Sequence, residues 1–379
     1  MADTLLAETL RDRLPRLYAA GVDHNDIQTL VHSITHIAEW PAVWEALARD
    51  HEALAEAALT EGRLLSAAGA FQSAALYHHF GQFVYVADPA EKQRMQRNQA
   101  AAFRRAAPYL APPAEQLVVR FEGIEFPGNL RLPPDVAGRS PCVLLNPGAD
   151  STKEEFHTLE NTFLARGVAT FSYDGPGQGL TWASMKLRPD YEAPIGAVVD
   201  RLQAHGAIDP TRIGIWGRSF GAYCALRGAR DPRIRACISI GGFYDMGAIW
   251  SRMPKGTTDS ISYAFGQKTL HESAGLAQSY TLAGQLGQVS CPVLVVHSGQ
   301  DNVCPVSESQ RMIDELGAGA ELAVFAEGNH VCDNIPYKVR PMMADWMAGK
   351  LRATGGIGSK TASNPSTNHP KLDTSKNHR

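Results

Sequence analysis

The segment Ile213-Gly-Ile-Trp-Gly-Arg-Ser-Phe-Gly-Ala-Tyr-Cys-Ala-Leu226 contains the motif Gly-x-Ser-x-Gly between an apolar run and a helix-forming run. The apolar run predicts a buried strand that ends at the motif, and the residues after the motif predict a helix. In that context the motif is typical of a nucleophile elbow, a sharp turn that presents its serine at a helix N-terminus above a sheet. We therefore predict that Ser219 is a nucleophile; the alternative is an ordinary Gly-Ser turn.

Strand-like apolar segments alternate with helical segments from about residue 116 to residue 351. This alternation predicts the α/β class, with a mostly parallel sheet and helices on both of its faces. The central strands are predicted at 142–145, 169–173, 212–216, 236–240, 293–297 and 321–325, and the helices near 153–166, 194–205, 220–229, 307–317 and 337–351. Residues 243–288 are too long for a simple crossover, so we expect a helical insertion there.

The first 110 residues differ from this pattern because they are rich in Ala, Leu, Glu and Arg. They predict an all-helical region, with one helix at 64–85 and another from Pro89 to Ala107. A catalytic region is expected at 111–352, and its first two strands are predicted as a hairpin around a turn at Pro127-Gly128. Residues 353–379 lack apolar side chains to bury, so we expect a disordered tail.

The composition excludes several classes of function. The net charge of −3 provides no basic surface for nucleic acid or an anionic membrane. The first ten residues carry acids and do not resemble a signal peptide, and no apolar run approaches the about 18 residues of a membrane span. The six cysteines form no Cys-x-x-Cys pair, and several lie in apolar runs. Buried free thiols, a cytoplasmic location and a small-molecule substrate are the expectation.

Two further residues complete a catalytic set with Ser219. Asp301 follows the strand-like run 293–297, and His330 follows the run 321–325. A serine nucleophile needs a base, and the base needs a carboxylate to orient it. The order Ser, Asp, His is that of enzymes with this elbow. Asp245 is the alternative acid, and His297 is interpreted as structural.

The oxyanion formed during attack needs two preorganised N–H donors. We predict the backbone N–H of Phe220, which follows the serine, and that of Ala149 in the loop 146–151. Asp150 or Ser151 is expected to cap the helix that begins near residue 152. The stretch Asp174-Gly-Pro-Gly-Gln-Gly179 is interpreted as a turn that shapes the pocket rather than a phosphate-binding loop. Neither a metal site nor a cofactor is predicted.

Four linked segments resemble a known group of enzymes: Asp150-Ser-Thr-Lys-Glu-Glu155, Asp174-Gly-Pro-Gly-Gln-Gly179, Gly217-Arg-Ser-Phe-Gly221 and Gly241-Gly-Phe243. Together with the helical N-terminal region they are similar to the α/β-hydrolases that include 2,6-dihydroxypseudooxynicotine hydrolase and fungal polyketide-shortening hydrolases. The resemblance implies the α/β-hydrolase fold and cleavage of a carbon–carbon bond next to a ketone. It also implies N-terminal helices that cover the site and assist formation of a homodimer.

One segment departs from that group. The pyridine-cleaving member is expected to have an added carboxylate after the Gly-Gly-Phe motif, where this chain has Asp245 as its only acid in 243–254. The resemblance therefore implies a reaction class without implying the same substrate.

The same triad would also serve a carboxylesterase or a related acyl-transferring enzyme, and a non-enzymatic binding protein is a further alternative. The pocket decides among these functions. We predict that Tyr244, Trp250, Trp182 and Phe243 line it together with N-terminal helices, and packing in the core is the alternative for each aromatic residue.

Overall fold

An eight-stranded sheet forms the centre of the structure, a computed structural model that describes residues 3–134 and 136–352. The predicted tail at 353–379 lies outside the described residues. The strands are β1 (Ala114–Phe121), β2 (Ile124–Arg131), β3 (Ser140–Asn146), β4 (Ala169–Tyr173), β5 (Ile208–Arg218), β6 (Ile234–Ile240), β7 (Val293–Ser298) and β8 (Ala320–Phe325). Their order across the sheet is β1-β2-β4-β3-β5-β6-β7-β8.

The six strands from β3 onward are parallel, whereas β1 and β2 are antiparallel to their neighbours. Every residue of β3 and β4 is buried, because helices cover both faces of the sheet there. The predicted class, an α/β-hydrolase fold with a mostly parallel sheet, is confirmed.

Helices are found in both parts of the chain. Those of the N-terminal region are α1 (Thr4–Ala20), α2 (His24–Ser33), α3 (Trp40–Thr60), α4 (Leu64–Gln82) and α5 (Pro89–Ala106). Those that follow are α6 (His157–Leu164), α7 (Glu192–Gln203), α8 (Phe220–Gly228), α9 (Met246–Ile249), α10 (Lys255–Phe265), α11 (Leu270–Ala277), α12 (Ser307–Leu316) and α13 (Pro336–Leu351). Helices α9 to α11 lie in the segment predicted as a helical insertion. No helix of the described residues is both long enough and apolar enough to span a membrane.

Two hydrophobic cores lie on opposite faces of the sheet. Ile215 of β5 belongs to the core that contains α7 and α8, and the next residue, Trp216, belongs to the core that contains α6 and α13. Successive side chains of a strand point to opposite faces, so one apolar run supplies both cores. All six cysteines are buried and unpaired, as predicted.

The hairpin formed by β1 and β2 turns at a different place from the one predicted. Its turn is Glu122-Gly123, and both residues have positive φ values, 48° and 77°. A two-residue hairpin loop of this kind requires positive φ at both positions. Pro127 and Gly128 lie inside β2, where a Cβ atom on Gly128 would come within 2.3 Å of the Phe171 ring. The glycine therefore serves close packing and not a turn.

The N-terminal helices have hydrophobic clusters of their own. One cluster joins α1, α2, α3 and α4 around Trp40 and Trp44, and a second joins α3, α4 and α5 around Phe71 and Phe103. Helix α4 ends at Gln82, three residues before the predicted end at residue 85. The helix ends there because Phe83 is already extended, with a ψ of 135°, and Val84 follows in a left-handed conformation with a φ of 59°.

Candidate active site

The turn between β5 and α8 holds Ser219 in a strained backbone conformation, with φ of 54° and ψ of −121°. A Cβ atom on Gly217 would lie 1.8 Å from the carbonyl oxygen of Gly221, and one on Gly221 would lie 2.1 Å from the carbonyl oxygen of Asn146. Both contacts are with backbone, which has no room to move aside. These positions therefore accept only glycine, and the turn has the geometry of a nucleophile elbow.

Ser219, His330 and Asp301 form a continuous chain of hydrogen bonds. The Nε2 atom of His330 lies 3.0 Å from the Oγ atom of Ser219. The Nδ1 atom of the same ring lies 2.9 Å and 2.8 Å from the two carboxylate oxygens of Asp301. Each residue follows the end of a parallel strand, so the sheet brings together three positions separated by up to 111 residues.

The carboxylate of Asp301 is fully buried and is held in place by its neighbours. Its Oδ1 atom accepts hydrogen bonds of 2.8 Å from the N–H groups of Val303 and Cys304. Burial alone would raise the pKa of Asp301, but the attraction of His330 and these hydrogen bonds outweigh it, and the pKa is lowered. An ionised carboxylate at this position orients the imidazole and stabilises its protonated form.

The two alternative residues near the triad have other partners. Asp245 caps α9 by accepting a hydrogen bond from the N–H of Ala248, and its second oxygen accepts one from Thr281. His297 lies 2.9 Å from the carbonyl oxygen of Cys304 through its Nε2 atom, and burial lowers its pKa. The structure therefore brings Asp301, and not Asp245, to His330.

Ala149 and Phe220 line one cavity together with Ser219 and His330. Within the described parts of the chain neither of their backbone N–H groups donates a hydrogen bond. The loop that carries Ala149 lies against the nucleophile, because a Cβ atom on Gly148 would be 3.6 Å from the Cβ atom of Ser219. Two free N–H donors beside a serine are the arrangement that a tetrahedral oxyanion requires.

The loop Asp174–Gly179 packs against the segment that carries Ala149 and holds it by hydrogen bonds. The side-chain amide of Gln178 donates hydrogen bonds of 2.8 Å and 3.0 Å to the carbonyl oxygens of Pro147 and Gly148. Asp174 accepts bonds from both the backbone and the side chain of Lys153. This loop fixes the position of the segment that presents Ala149, although it does not line the cavity itself.

The remaining walls of the cavity combine apolar side chains with arginines. Helix α1 contributes Arg13 and Arg16, and the residues after α4 contribute Phe83 and Val84. The apolar walls of the other part of the chain are Phe220, Phe243, Met253, Ile261 and Val303. In the described ranges, 3–134 and 136–352, no group of three or more His, Cys, Asp or Glu residues is placed to hold a metal ion.

Of the four aromatic residues predicted to line the pocket, Phe243 lines this cavity and the other three do not. Trp182 stacks on Tyr263 at 4.3 Å between ring centroids and donates its indole N–H to the carbonyl oxygen of that residue. The Tyr244 hydroxyl donates a hydrogen bond of 2.5 Å to Glu315. Trp250 stacks on Phe265. Each of these three rings packs against or hydrogen-bonds to a residue outside the cavity lining, so the prediction that they line the pocket is wrong.

Sequence reasoning missed the cavity residues from the N-terminal region. Arg13 and Arg16 lie on a helix in which arginine is ordinarily a solvated residue, and no motif marks them. Val84 and Phe83 follow α4 in a segment that the pattern predicted as helix. Only contacts between distant parts of the chain bring these residues to Ser219, so the sequence carries no local signal for them.

A buried cluster of charges joins α1 to the elbow. The guanidinium of Arg16 binds both carboxylate oxygens of Glu155 at 2.6 Å and the hydroxyl of Ser151 at 2.7 Å. Arg218 lies 3.5 Å from Glu155 and 2.5 Å from Asp333. Since Arg218 precedes Ser219, Glu155 connects the N-terminal helices directly to the nucleophile turn.

Asp150 makes a second connection between the N-terminal helices and the site. The prediction that Asp150 or Ser151 caps a helix is wrong. The carboxylate of Asp150 binds the Lys92 ammonium at 2.5 Å, the N–H of Val84 at 2.7 Å and the hydroxyl of Ser260 at 3.1 Å. The hydroxyl of Ser151 accepts from Arg16 instead. Charged partners from the N-terminal helices thus take up both side chains, which leaves the 3-10 turn at Lys153–Phe156 without a side-chain cap.

We expect Glu155→Gln to destabilise the protein by about 3–5 kcal/mol, the range for breaking a buried ion pair by removing one partner. Burial would raise the pKa of Glu155, but Arg16, Arg218 and His79 hold it well below its ordinary value. A group with a lowered pKa in the folded state stabilises that state above its unfolded pKa. The variant's loss of unfolding free energy should therefore have its full size at neutral pH and become smaller below about pH 4.3. Chemical denaturation at several pH values measures it.

Glu154→Gln is the matched control, since Glu154 is an adjacent buried glutamate. Burial raises the pKa of Glu154, and its ion pair is with Lys153, which Asp174 also neutralises. We expect a clearly smaller loss of stability for this variant. Equal losses in the two variants would show that Glu155 has no special part in joining α1 to the elbow.

Comparison with known proteins agrees with this architecture. The sequence profile of the prolyl oligopeptidase family matches residues 162–354. The chain is 35% identical over 341 residues to 2,6-dihydropseudooxynicotine hydrolase of Paenarthrobacter nicotinovorans, which covers 89% of this chain and 91% of that enzyme. It is 30% identical over 329 residues to the hydrolyase poxO of Penicillium oxalicum, which covers 73% of this chain and 78% of that protein.

A solved structure is also similar over most of the chain. The crystal structure of 2,6-dihydroxy-pseudo-oxynicotine hydrolase matches with a TM-score of 0.83 and 34% identity, and covers 89% of this chain and 96% of that one. Since residues 111–379 make up less than that share of the chain, the similarity extends into the N-terminal helices.

Proposed function

This chain belongs to the prolyl oligopeptidase family of α/β-hydrolases, and we propose that it cleaves a carbon–carbon bond next to a ketone in an aromatic or polyketide-type substrate. Support comes above all from the surroundings of the half-buried Ser219, whose cavity has an apolar wall and is lined on another side by residues of the N-terminal helical region. The resemblance described from the sequence implies both a helical cover and cleavage of such a bond, and the similar proteins are named as hydrolases.

The reaction begins when Ser219 attacks the ketone carbon and His330 takes the hydroxyl proton at Nε2. The resulting oxyanion accepts hydrogen bonds from the N–H groups of Phe220 and Ala149. The carbon–carbon bond then breaks, its electron pair leaves with the departing carbon, and His330 returns the proton to that carbon. Throughout these steps Asp301 holds the imidazole in the correct tautomer and stabilises its charged form.

Water completes the cycle. His330 removes a proton from the water molecule, which attacks the acyl-enzyme and releases a carboxylic acid and free Ser219. One ketone and one water thus give an acid and a protonated carbon product. Because the leaving group is a carbanion, the substrate must delocalise that charge, as a 1,3-diketone or an acylated phenol-type ring does.

A carboxylesterase or related acyl-transfer reaction is the second candidate, and the same triad favours it. An ester passes through the same tetrahedral intermediate and expels an oxygen, which leaves more readily than carbon. The geometry of Ser219, His330 and Asp301 is equally suited to both bonds, so the choice depends on which substrates the cavity admits.

An acyl-product assay distinguishes the two candidates. Purified protein and its Ser219→Ala variant are offered an acylated 1,3-diketone, a hydroxyaryl ketone and a short p-nitrophenyl ester, and the released acid is quantified. We expect fast, serine-dependent cleavage of a ketone and slow turnover of the ester. Fast ester hydrolysis with no cleavage of either ketone would favour the esterase. Release of acid that persists in the Ser219→Ala protein would contradict both candidates.

A further inference from the structure

Three arginines line the catalytic cavity, and they differ in how their charges are balanced. Arg16 is paired with Glu155, and Arg218 is paired with Asp333. Arg13 has no carboxylate within 4.0 Å among residues 3–134 and 136–352. Its one side-chain hydrogen bond in that part of the chain is from Nη2 to the hydroxyl of Thr257, at 3.4 Å. Among the described residues, the cavity therefore contains one guanidinium that has no carboxylate partner and only one long hydrogen bond.

The surroundings of Arg13 remove part of its side chain from solvent, and the carboxylates of Asp12, Asp150 and Asp333 act on its charge only from beyond 4.0 Å. The side chain is half-buried, and its guanidinium carbon lies 5.6 Å from the centre of the Phe83 ring. Removal from water and the nearby charge of Arg16 lower its pKa to about 10, which leaves it protonated at neutral pH. The nearest cavity carboxylate, Asp150, is engaged by Lys92. A partly buried cation with a perturbed pKa, which lacks a contacting carboxylate and lines the cavity of Ser219, is a candidate ligand-binding group.

Arg13 also lies where two cavities meet. Together with Val84 and Thr257 it lines both the catalytic cavity and an outer cavity beside α1 and α10. Three carboxylates line the outer cavity: Asp12 is paired with Arg11, Asp259 is paired with Lys255, and the exposed Glu8 lies more than 4.0 Å from the guanidinium of Arg13.

The backbone at this junction is strained. Val84 is a β-branched residue with a φ of 59°, a conformation that such residues adopt only where their surroundings impose it. Asp150 supplies part of that constraint by accepting the N–H of Val84. Strain of this kind is concentrated at ligand-binding sites.

We propose that Arg13 binds an anionic oxygen of the substrate, so that the substrate is an acidic ketone. This inference rests on the proposed function for the ketone, whereas the anion site follows from the unpaired guanidinium. A guanidinium presents a planar fork of donors that fits a carboxylate or the paired oxygens of an enolised 1,3-diketone. Either anion would place the ketone carbonyl in the cavity shared with Ser219.

Binding to the Ser219→Ala protein tests the anion site without any cleavage. Two matched pairs of probes are compared by calorimetry. The first is 5-oxo-5-phenylpentanoate with its neutral amide, and the second is 1-phenylbutane-1,3-dione with its 2,2-dimethyl derivative, which cannot enolise. The second pair is measured at about pH 9, where the diketone is largely ionised and Arg13 is still protonated. We expect the anionic member of at least one pair to bind about 10- to 100-fold more tightly, the range for a charge-assisted hydrogen bond. The pair that shows the preference identifies the anion as a carboxylate or an enolate.

Arg13→Met, made in the same Ser219→Ala protein, should abolish the preference for the anionic probe. The affinity for the neutral probes should change by less than about threefold. Arg13→Lys should retain part of the preference, because lysine keeps the charge without the planar fork. Arg11→Met is the matched control: it removes an arginine from the same helix, with a side chain that is 70% exposed. Residues two positions apart do not share a helix face, so we expect the full preference in this variant.

Three results would overturn the proposal: no preference for either anion, a preference that survives Arg13→Met, or no binding of the anions at millimolar concentration. A failure of the proposed carbon–carbon cleavage would instead appear in the acyl-product assay, with the binding preference intact. Circular dichroism of each variant shows that a lost preference reflects the site and not the fold.

Discussion

Ser219→Ala should lower kcat by about 10⁶ on whichever substrate the enzyme turns over, because the residues of a triad act as a unit. Without the hydroxyl, His330 has no proton to accept and no acyl-enzyme can form. The backbone N–H groups of Phe220 and Ala149 remain, so a residual rate above that of water is expected. Steady-state kinetics with the released acid as the readout, and mass spectrometry of the acyl-enzyme, measure the effect.

Ser239→Ala is the matched control for this variant. Ser239 is buried on β6, pairs with Gly217 in the sheet and has a hydroxyl that lacks a hydrogen-bond partner among the described residues. Its loss should leave kcat nearly unchanged. A Ser219→Ala protein with a near-normal rate, or equal losses in both variants, would refute the assignment of Ser219 as nucleophile.

Asp301→Asn should lower kcat by about 10⁴, the second largest effect expected for this site. The amide can donate a hydrogen bond to Nδ1 of His330, and this stabilises the tautomer that carries its proton on Nε2. In that tautomer Nε2 cannot accept the proton of Ser219. The negative charge that stabilises the imidazolium is lost as well. The variant should still bind substrate, so we expect kcat to fall and KM to change little.

Asp245→Asn tests the alternative acid under the same conditions. An asparagine retains an oxygen that can cap α9, so this variant should fold and keep kcat within a few-fold of the original. A loss of about 10⁴ in Asp245→Asn with a mild effect in Asp301→Asn would show that the orienting carboxylate has been misassigned.

The pattern of residues in the α/β region was enough to predict its architecture. Apolar runs near 142, 169, 213, 236 and 293 each correspond to a strand, because a buried parallel strand must be largely apolar along its whole length. The run near 321 corresponds to the edge strand β8, which is only partly buried. The placement of Ser219, Asp301 and His330 after strand ends then predicted their proximity. Local chemistry determines these features: glycines at 217 and 221 are needed wherever the elbow occurs, whatever the rest of the chain does.

The turn of the hairpin and the end of α4 could not be read in the same way. Pro127-Gly128 looks like a turn until the Phe171 ring occupies the space that a side chain at 128 would need. The apolar stretch 83–85 continues the run of α4 in the sequence, yet Asp150 accepts a hydrogen bond from the N–H of Val84 and the chain leaves the helix. In both cases a contact with a residue distant in sequence fixes the local conformation.

The sequence alone therefore determined the sheet, the elbow and the order of the triad, because periodicity and steric demands act over a few neighbouring residues. The walls of the cavity depend on tertiary contacts. Trp182, Tyr244 and Trp250 have the side chains of a binding pocket but pack elsewhere, whereas Arg13 and Val84 lack any motif and reach the site through folding of the N-terminal helices. Which side chains surround Ser219 is set by long-range packing and buried charge pairs, and these have no signature in the local sequence.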